Sequence, residues 1–294
     1  MTNYSKILSG TGVALVTPFK SNGEIDFPAL KKLVKHISKG KCEYLVPLGT
    51  TGESVTLSME EKKAVMDCVL ETNKGKLPIV MGLGGNNTQE ILHQLETYDF
   101  TGITALLSVS PYYNKPSQVG IIAHYSLIAN ASPLPIILYN VPGRTGSNLS
   151  VDTTLALAQS QPNIIGIKEA SGNIEQIMEI IRSRPKGFLV ISGDDGITFP
   201  LMCAGADGVI SVVANAYPKD FSNMVRLAKT SDLKKAKDLH YTYFPLVPML
   251  FAEGSPSGIK CALKEMGIME DHVRLPVVNV SKNLAEKIIA FVKS

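Results

Sequence analysis

Lys168 ends the apolar run Asn163-Ile164-Ile165-Gly166-Ile167 and is followed by Glu169-Ala170-Ser171-Gly172-Asn173, a turn leading into a helical segment. Strands flanked by helices bury both faces, and lysine is almost never buried unless it is paired or chemically employed. Most other lysines fall on polar helix faces or in turns, as Lys31, Lys32 and Lys35 do. Two readings of Lys168 stand side by side. Its amine can snorkel from the strand end or pair with Glu169; or, neutralised by desolvation, it can add to a substrate carbonyl and form a Schiff base. Bringing a lysine from ~10.4 to near ~7 takes about 4 kcal/mol, which a partly buried lysine can bear.

Other chemistry-bearing residues also follow apolar runs. Gly49-Thr50-Thr51-Gly52-Glu53-Ser54 offers two hydroxyls and backbone N–H groups to a small carboxylate, or is an ordinary turn before a helix. Ser110-Pro111-Tyr112-Tyr113-Asn114 exposes two phenols on a rigid loop, where packing roles are common. Tyr139 stands at the end of an apolar run and Arg144 on the loop after it. A phenol there can pass protons, and a guanidinium can take a carboxylate in a bidentate grip or form a rim salt bridge. Asp194-Asp195 suggests helix capping near Ile197, and Thr88 reads as a second cap. No histidine falls at a predicted strand end, so no metal site is expected. The stretch after the last predicted strand, around Ala214-Asn215, lacks a glycine-rich phosphate cradle. Gly82-Leu83-Gly84-Gly85-Asn86-Asn87 lacks the lysine and Ser/Thr of a phosphate loop. The sequence implies no cofactor and a carboxylate substrate.

Eight short apolar strands are predicted at 13–17, 44–48, 79–83, 105–109, 136–140, 164–168, 189–192 and 208–212. Helices are predicted after each, at 28–38, 59–72, 88–98, 118–131, 152–159, 174–184, 197–203 and 219–229. This alternation demands a parallel sheet, and eight rounds suggest an α/β fold of the (β/α)8 TIM barrel type. An open doubly wound sheet is the rival, but its glycine-rich turn after the first strand is missing, because 13–17 runs into Pro18-Phe19. Beyond residue 230 only helical patterning remains, at 233–250, 257–265 and 283–293. The expected organisation is a catalytic barrel over 1–230 and a C-terminal helical extension over 231–294.

A chain of 294 residues with a formal charge of +3 and no long basic run is not patterned for nucleic acid. Its apolar runs are too short to span a membrane. Cys42, Cys68, Cys203 and Cys261 are irregularly spaced without a CxxC, and read as buried thiols of a cytoplasmic protein.

In their order along the chain, Gly49-Thr50-Thr51-Gly52-Glu53, Tyr112-Tyr113-Asn114, Tyr139-Asn140-Val141-Pro142 and Gly166-Ile167-Lys168-Glu169 resemble the pyruvate-dependent class I aldolase superfamily. Within it the resemblance is closest to the dihydrodipicolinate synthase family, and it runs from Thr17-Pro18-Phe19 to the helical tail. N-acetylneuraminate lyases usually carry Ser where Thr50 stands and lack the Arg144-Thr145-Gly146 present here. The resemblance implies condensation of pyruvate with L-aspartate-4-semialdehyde, the first committed step toward diaminopimelate and lysine. By the same likeness Lys168 forms the imine, and Tyr139 handles protons relayed through Thr50 and Tyr113, the latter supplied by a neighbouring subunit of a homotetramer. Thr51, Gly193 and Ile210 hold the pyruvate carboxylate, and Arg144 holds that of the semialdehyde. Ser54, Asn86, Glu90 and Tyr112 match an allosteric lysine site, while Met59 stands where many inhibited relatives have His or Trp. Two alternatives are a Schiff-base aldolase acting on a sugar acid, of the N-acetylneuraminate lyase or 2-keto-3-deoxy acid aldolase type, and a ligand-sensing barrel without turnover.

Overall fold

The computed structural model describes residues 4–294. Its strands are β1 (Gly10–Ala14), β2 (Tyr44–Val46), β3 (Val80–Gly82), β4 (Ala105–Val109), β5 (Ile136–Asn140), β6 (Ile164–Glu169), β7 (Leu189–Ser192) and β8 (Gly208–Ser211). They follow the order β2-β1-β8-β7-β6-β5-β4-β3 in one sheet, with helices between them. That is the succession of a (β/α)8 barrel, here followed by C-terminal helices. By contacts the chain divides into two compact units, residues 4–10 with Pro78–Ile210, and Thr11–Leu77 with Ser211–Ser294.

In the first unit, β4, β5 and β7 coincide with the predicted strands, because each is an unbroken apolar run closed by turn residues. β5 is buried along its whole length, as a strand covered on both faces must be. Register places Tyr139 beside Lys168 across β5 and β6, and Lys168 beside Ile191 across β6 and β7. The helices Gln118–Ala131, Val151–Ser160 and Ile174–Ser183 start where Ser117, Ser150 and Asn173 accept backbone N–H groups. The helix Thr88–Thr97 is capped by Asn87 and not by Thr88, whose hydroxyl lies 2.9 Å from Nδ1 of His124. Asp194 does cap the short turn Asp195–Ile197, through the N–H of Gly196.

In the second unit, β1 starts and ends three residues earlier than predicted. Gly10 and Gly12 look like strand breakers, yet a Cβ on residue 12 would fall 2.1 Å from the Tyr44 ring. At its other end the chain leaves the ladder because Val16 N–H turns to Oδ1 of Asn215. The helix Met59–Asn73 opens with a complete capping box between Ser58 and Glu61. The predicted helix over 233–250 is two, Leu233–Tyr243 and Leu246–Phe251. Pro245, which has no N–H to continue the ladder, stands at the break. Ser257–Glu265 and Lys282–Lys293 complete the helical tail. Three of the four cysteines are buried as expected, but Cys203, at the end of its helix, is exposed. Among the described residues no helix is long and apolar enough to cross a membrane, and no three His, Cys, Asp or Glu side chains gather to hold a metal.

Candidate active site

Strand alternation separates Lys168 from Glu169. The Glu169 carboxylate is fully buried and taken by other partners. Its Oε1 accepts from Asn140 at 2.7 Å and Gln176 at 2.9 Å, and its Oε2 accepts from Ser171 N–H at 3.1 Å and the Ser171 hydroxyl at 2.6 Å. Sequence reasoning missed this brace, although the i, i+1 placement of Lys168 and Glu169 on opposite strand faces already signals it. Lys168 is therefore free of the neighbour that would most simply neutralise it. Only 6% exposed, it holds its Nζ 4.1 Å from the centroid of the Tyr139 ring. The ring face offers weak stabilisation to a cation and none of the acceptors of a carboxylate.

Space around the Lys168 stem comes from Gly193. A Cβ there would meet Ala170 Cβ at 2.7 Å, Lys168 Cε at 2.9 Å and Glu169 O at 3.1 Å. The Gly193 N–H donates to Glu169 O at 2.7 Å. Ile210 lies buried in β8 of the same unit. Tyr139 is as buried as Lys168, while Arg144, on the one-turn helix Pro142–Thr145, is exposed. Among the described residues no carboxylate pairs with Arg144, so the rim salt bridge is not formed. Tyr113 is 88% exposed with a left-handed φ of 74°, and its N–H donates to Thr145 O at 3.3 Å. A non-glycine residue held in that region beside a solvent-facing ring is a feature of functional loops.

Of the residues matched to a lysine site, Asn86 and Tyr112 are joined, Asn86 Nδ2 donating to Tyr112 O at 3.2 Å. Glu90 is exposed and accepts from Gln94 at 3.1 Å. In the second unit, Thr50 is exposed and Thr51 buried in the 3-10 turn Thr50–Gly52, and Ser54 opens the next turn, Ser54–Thr56. Met59 begins the helix Met59–Asn73 and is exposed.

A buried amine without an ion pair among the described residues, at the carboxyl end of a barrel strand and against a phenol, is equipped for addition to a carbonyl carbon. The fold, with a buried lysine at the carboxyl end of one strand, is that of a barrel lyase. Residues 7–294 match the Dihydrodipicolinate synthetase family. The chain is 52% identical over 284 residues to 4-hydroxy-tetrahydrodipicolinate synthase of Flavobacterium psychrophilum, covering 97% of each. It is 52% identical over 281 residues to that of Parabacteroides distasonis, covering 96% of this chain and 95% of the relative. Among solved structures it superposes on dihydrodipicolinate synthase of Aquifex aeolicus with a TM-score of 0.93 at 38% identity, covering 97% of each chain. It also superposes on the chloride-inhibited enzyme of Acinetobacter baumannii complexed with pyruvate, with a TM-score of 0.94 at 41% identity, covering 97% and 98%. The chain belongs to the Dihydrodipicolinate synthetase family.

Proposed function

We propose that the protein condenses pyruvate with L-aspartate-4-semialdehyde to give 4-hydroxy-tetrahydrodipicolinate, at the entry to diaminopimelate and lysine synthesis, through an imine on Lys168. The observation that carries this reading is the buried Lys168 amine over the Tyr139 ring, with no ion-pair partner among the described residues, in a chain whose curated relatives at about half identity bear that enzyme's name.

The Lys168 amine adds to the keto carbon of pyruvate, and loss of water leaves the imine. Removal of a methyl proton gives the enamine, whose carbon attacks the aldehyde. The amino group of the former semialdehyde then adds to the imine carbon and expels Lys168 as the ring closes. Tyr139 gives and takes protons at these steps, with Thr50 and Tyr113 as the other members of the relay. Thr51 holds the pyruvate carboxylate, with main-chain contacts from Gly193 and Ile210, and Arg144 receives the carboxylate of the semialdehyde. The exposed Tyr113 ring fits a residue lent to a neighbouring subunit, and we assign the protein as a cytoplasmic homotetramer. Residues up to 230 carry catalysis and the helices from 231 onward extend the barrel. Free lysine is assigned to Ser54, Asn86, Glu90 and Tyr112.

Borohydride reduction in the presence of pyruvate tests the imine. We expect a pyruvate-derived mass on the peptide containing Lys168. The chain also holds a fully buried lysine, Lys260, brought down to about 8 mainly by burial. Its amine is committed to Glu53 at 2.5 Å and to His272 O at 2.8 Å, so it stays unlabelled. A label on Lys260, or none on Lys168, overturns the reading.

A further inference from the structure

The sequence places Lys260 within Ile259-Lys260-Cys261-Ala262-Leu263 of the helix Ser257–Glu265, where every one of these residues is buried. It is completely inaccessible, and its partner Glu53 is almost so. Glu53 directly follows the Thr50–Gly52 turn and has left-handed backbone angles, φ 52° and ψ 33°. A glutamate keeps that conformation only where its surroundings over-determine it. Here they do. The Oε1 of Glu53 meets Lys260 Nζ, and its Oε2 accepts the backbone N–H of Arg274 at 3.0 Å. Its own N–H closes the turn on Thr50 O at 3.0 Å, and its carbonyl accepts from Thr56 N–H and the Thr56 hydroxyl, each at 2.9 Å.

Arg274 clamps the far end of the same loop. Its guanidinium donates to Thr56 O at 2.7 Å, to Gly23 O at 2.7 and 3.0 Å, and to both oxygens of Glu61 at 2.5 and 2.8 Å. Glu61 in turn accepts Ser58 N–H at the start of the next helix. The Phe19 ring lies under both cations, 4.3 Å from Lys260 Nζ and 4.5 Å from the Arg274 guanidinium carbon. All the side-chain hydrogen-bonding capacity of Arg274 is thus spent on the end of this loop, the helix that follows it and the turn at Gly23. The charges balance as two ammonium or guanidinium groups against two carboxylates, so no buried charge is left alone.

We infer that Lys260 and Arg274 are positioning residues for the reaction: through Glu53 they fix the Thr50–Gly52 turn in the shape that receives the pyruvate carboxylate. This rests on the reading of Thr50 and Thr51 given above. Without the Lys260 partner, Glu53 returns to right-handed backbone angles and the turn before it rotates its hydroxyls and N–H groups off the carboxylate. Lys168 itself keeps its surroundings, so the loss falls on pyruvate binding and, through Thr50, on kcat, and not on capture of the semialdehyde.

The test is steady-state kinetics of the Glu53→Gln protein with each substrate varied, together with the pyruvate dependence of borohydride trapping. We expect the pyruvate concentration for half-saturation to rise at least fivefold in both assays, with the semialdehyde KM staying within twofold. The double variant Glu53→Gln/Lys260→Met removes the buried charges together; it carries the same expectation and stands in if the single variant does not fold. A pyruvate shift below fivefold, or equal shifts for both substrates, overturns the positioning role. Trapping of pyruvate on wild-type Lys168 separates the two proposals. Its failure removes the substrate assignment, whereas normal wild-type trapping with unshifted variants removes only the role of Lys260 and Arg274.

Discussion

Residue 193 is held so close to Lys168 that a single added methyl group would come within 2.9 Å of the lysine Cε. The same methyl would sit 3.1 Å from the backbone oxygen of Glu169 and 2.7 Å from Ala170 Cβ. The flexible lysine can yield, but the backbone and the alanine cannot. Gly193→Ala is therefore expected to displace the amine by a fraction of an ångström to about 1 Å, a misplacement that costs on the order of 10²-fold in rate. Overpacking should also remove about 1–3 kcal/mol of stability. The rate of pyruvate trapping and the urea midpoint measure the two effects. Trapping at the wild-type rate would mean that the lysine stem has space the structure denies it.

Tyr139→Phe keeps the ring face under the Lys168 amine and deletes only the hydroxyl. If Tyr139 transfers protons, kcat falls by about 10²–10⁴ while the fold stays intact. Imine formation should slow in the same variant without moving to another lysine. Kinetics paired with a thermal melt decide the matter, and a kcat within threefold of wild type would reduce Tyr139 to a packing residue.

What the sequence disclosed depended on the range of the interaction. β4, β5 and β7 were legible to the residue because an apolar run closed by turn residues is a local signal. Lys168 was legible as an anomaly for the same reason. β1 was misplaced because Gly12 is explained by the Tyr44 ring, 32 residues away in register on β2. Thr88 passed for a cap because Asn87 and Thr88 are both good capping residues, and only the partner His124 shows how the hydroxyl is used. Cys203 was taken as buried on residue type alone, although it ends a short helix beside a turn. The union of Glu53 with Arg274 spans 221 residues; no periodicity reaches so far. A lysine inside the apolar stretch around Lys260 was the one local hint of it.

Arg144 is exposed, and among the described residues no carboxylate pairs with it, so removing its side chain should leave stability within about 0.5 kcal/mol of wild type. Its expected cost is in the capture of the semialdehyde carboxylate, roughly 2–5 kcal/mol or about 30-fold to several-thousand-fold in kcat/KM for Arg144→Ala. Pyruvate trapping should be unaffected, because the arginine acts on the second substrate. A variant as active as wild type with aspartate semialdehyde would favour a sugar-acid acceptor instead.

Glu61 supplies a pH dependence of stability whose sign follows from its pairing with Arg274. The guanidinium forms two hydrogen bonds to the carboxylate and holds it down at about 2, against an ordinary value of 4.5. A depressed carboxyl contributes stability in full above its unfolded value and loses it as pH falls toward the folded one, here from about 4.5 to about 2. Full coupling would be worth about 3 kcal/mol; with close to a third of the carboxylate side chain in solvent, screening reduces this to about 1–2 kcal/mol. Glu61→Gln removes the charge yet keeps an amide oxygen for Ser58 N–H, so the capping box survives. The variant should be less stable than wild type by that amount at pH 7, and the gap should close between pH 4.5 and 2, the other carboxylates cancelling in the difference. Urea midpoints of both proteins across this range provide the measurement. Two parallel curves would show that Arg274 gains nothing from the charge of Glu61.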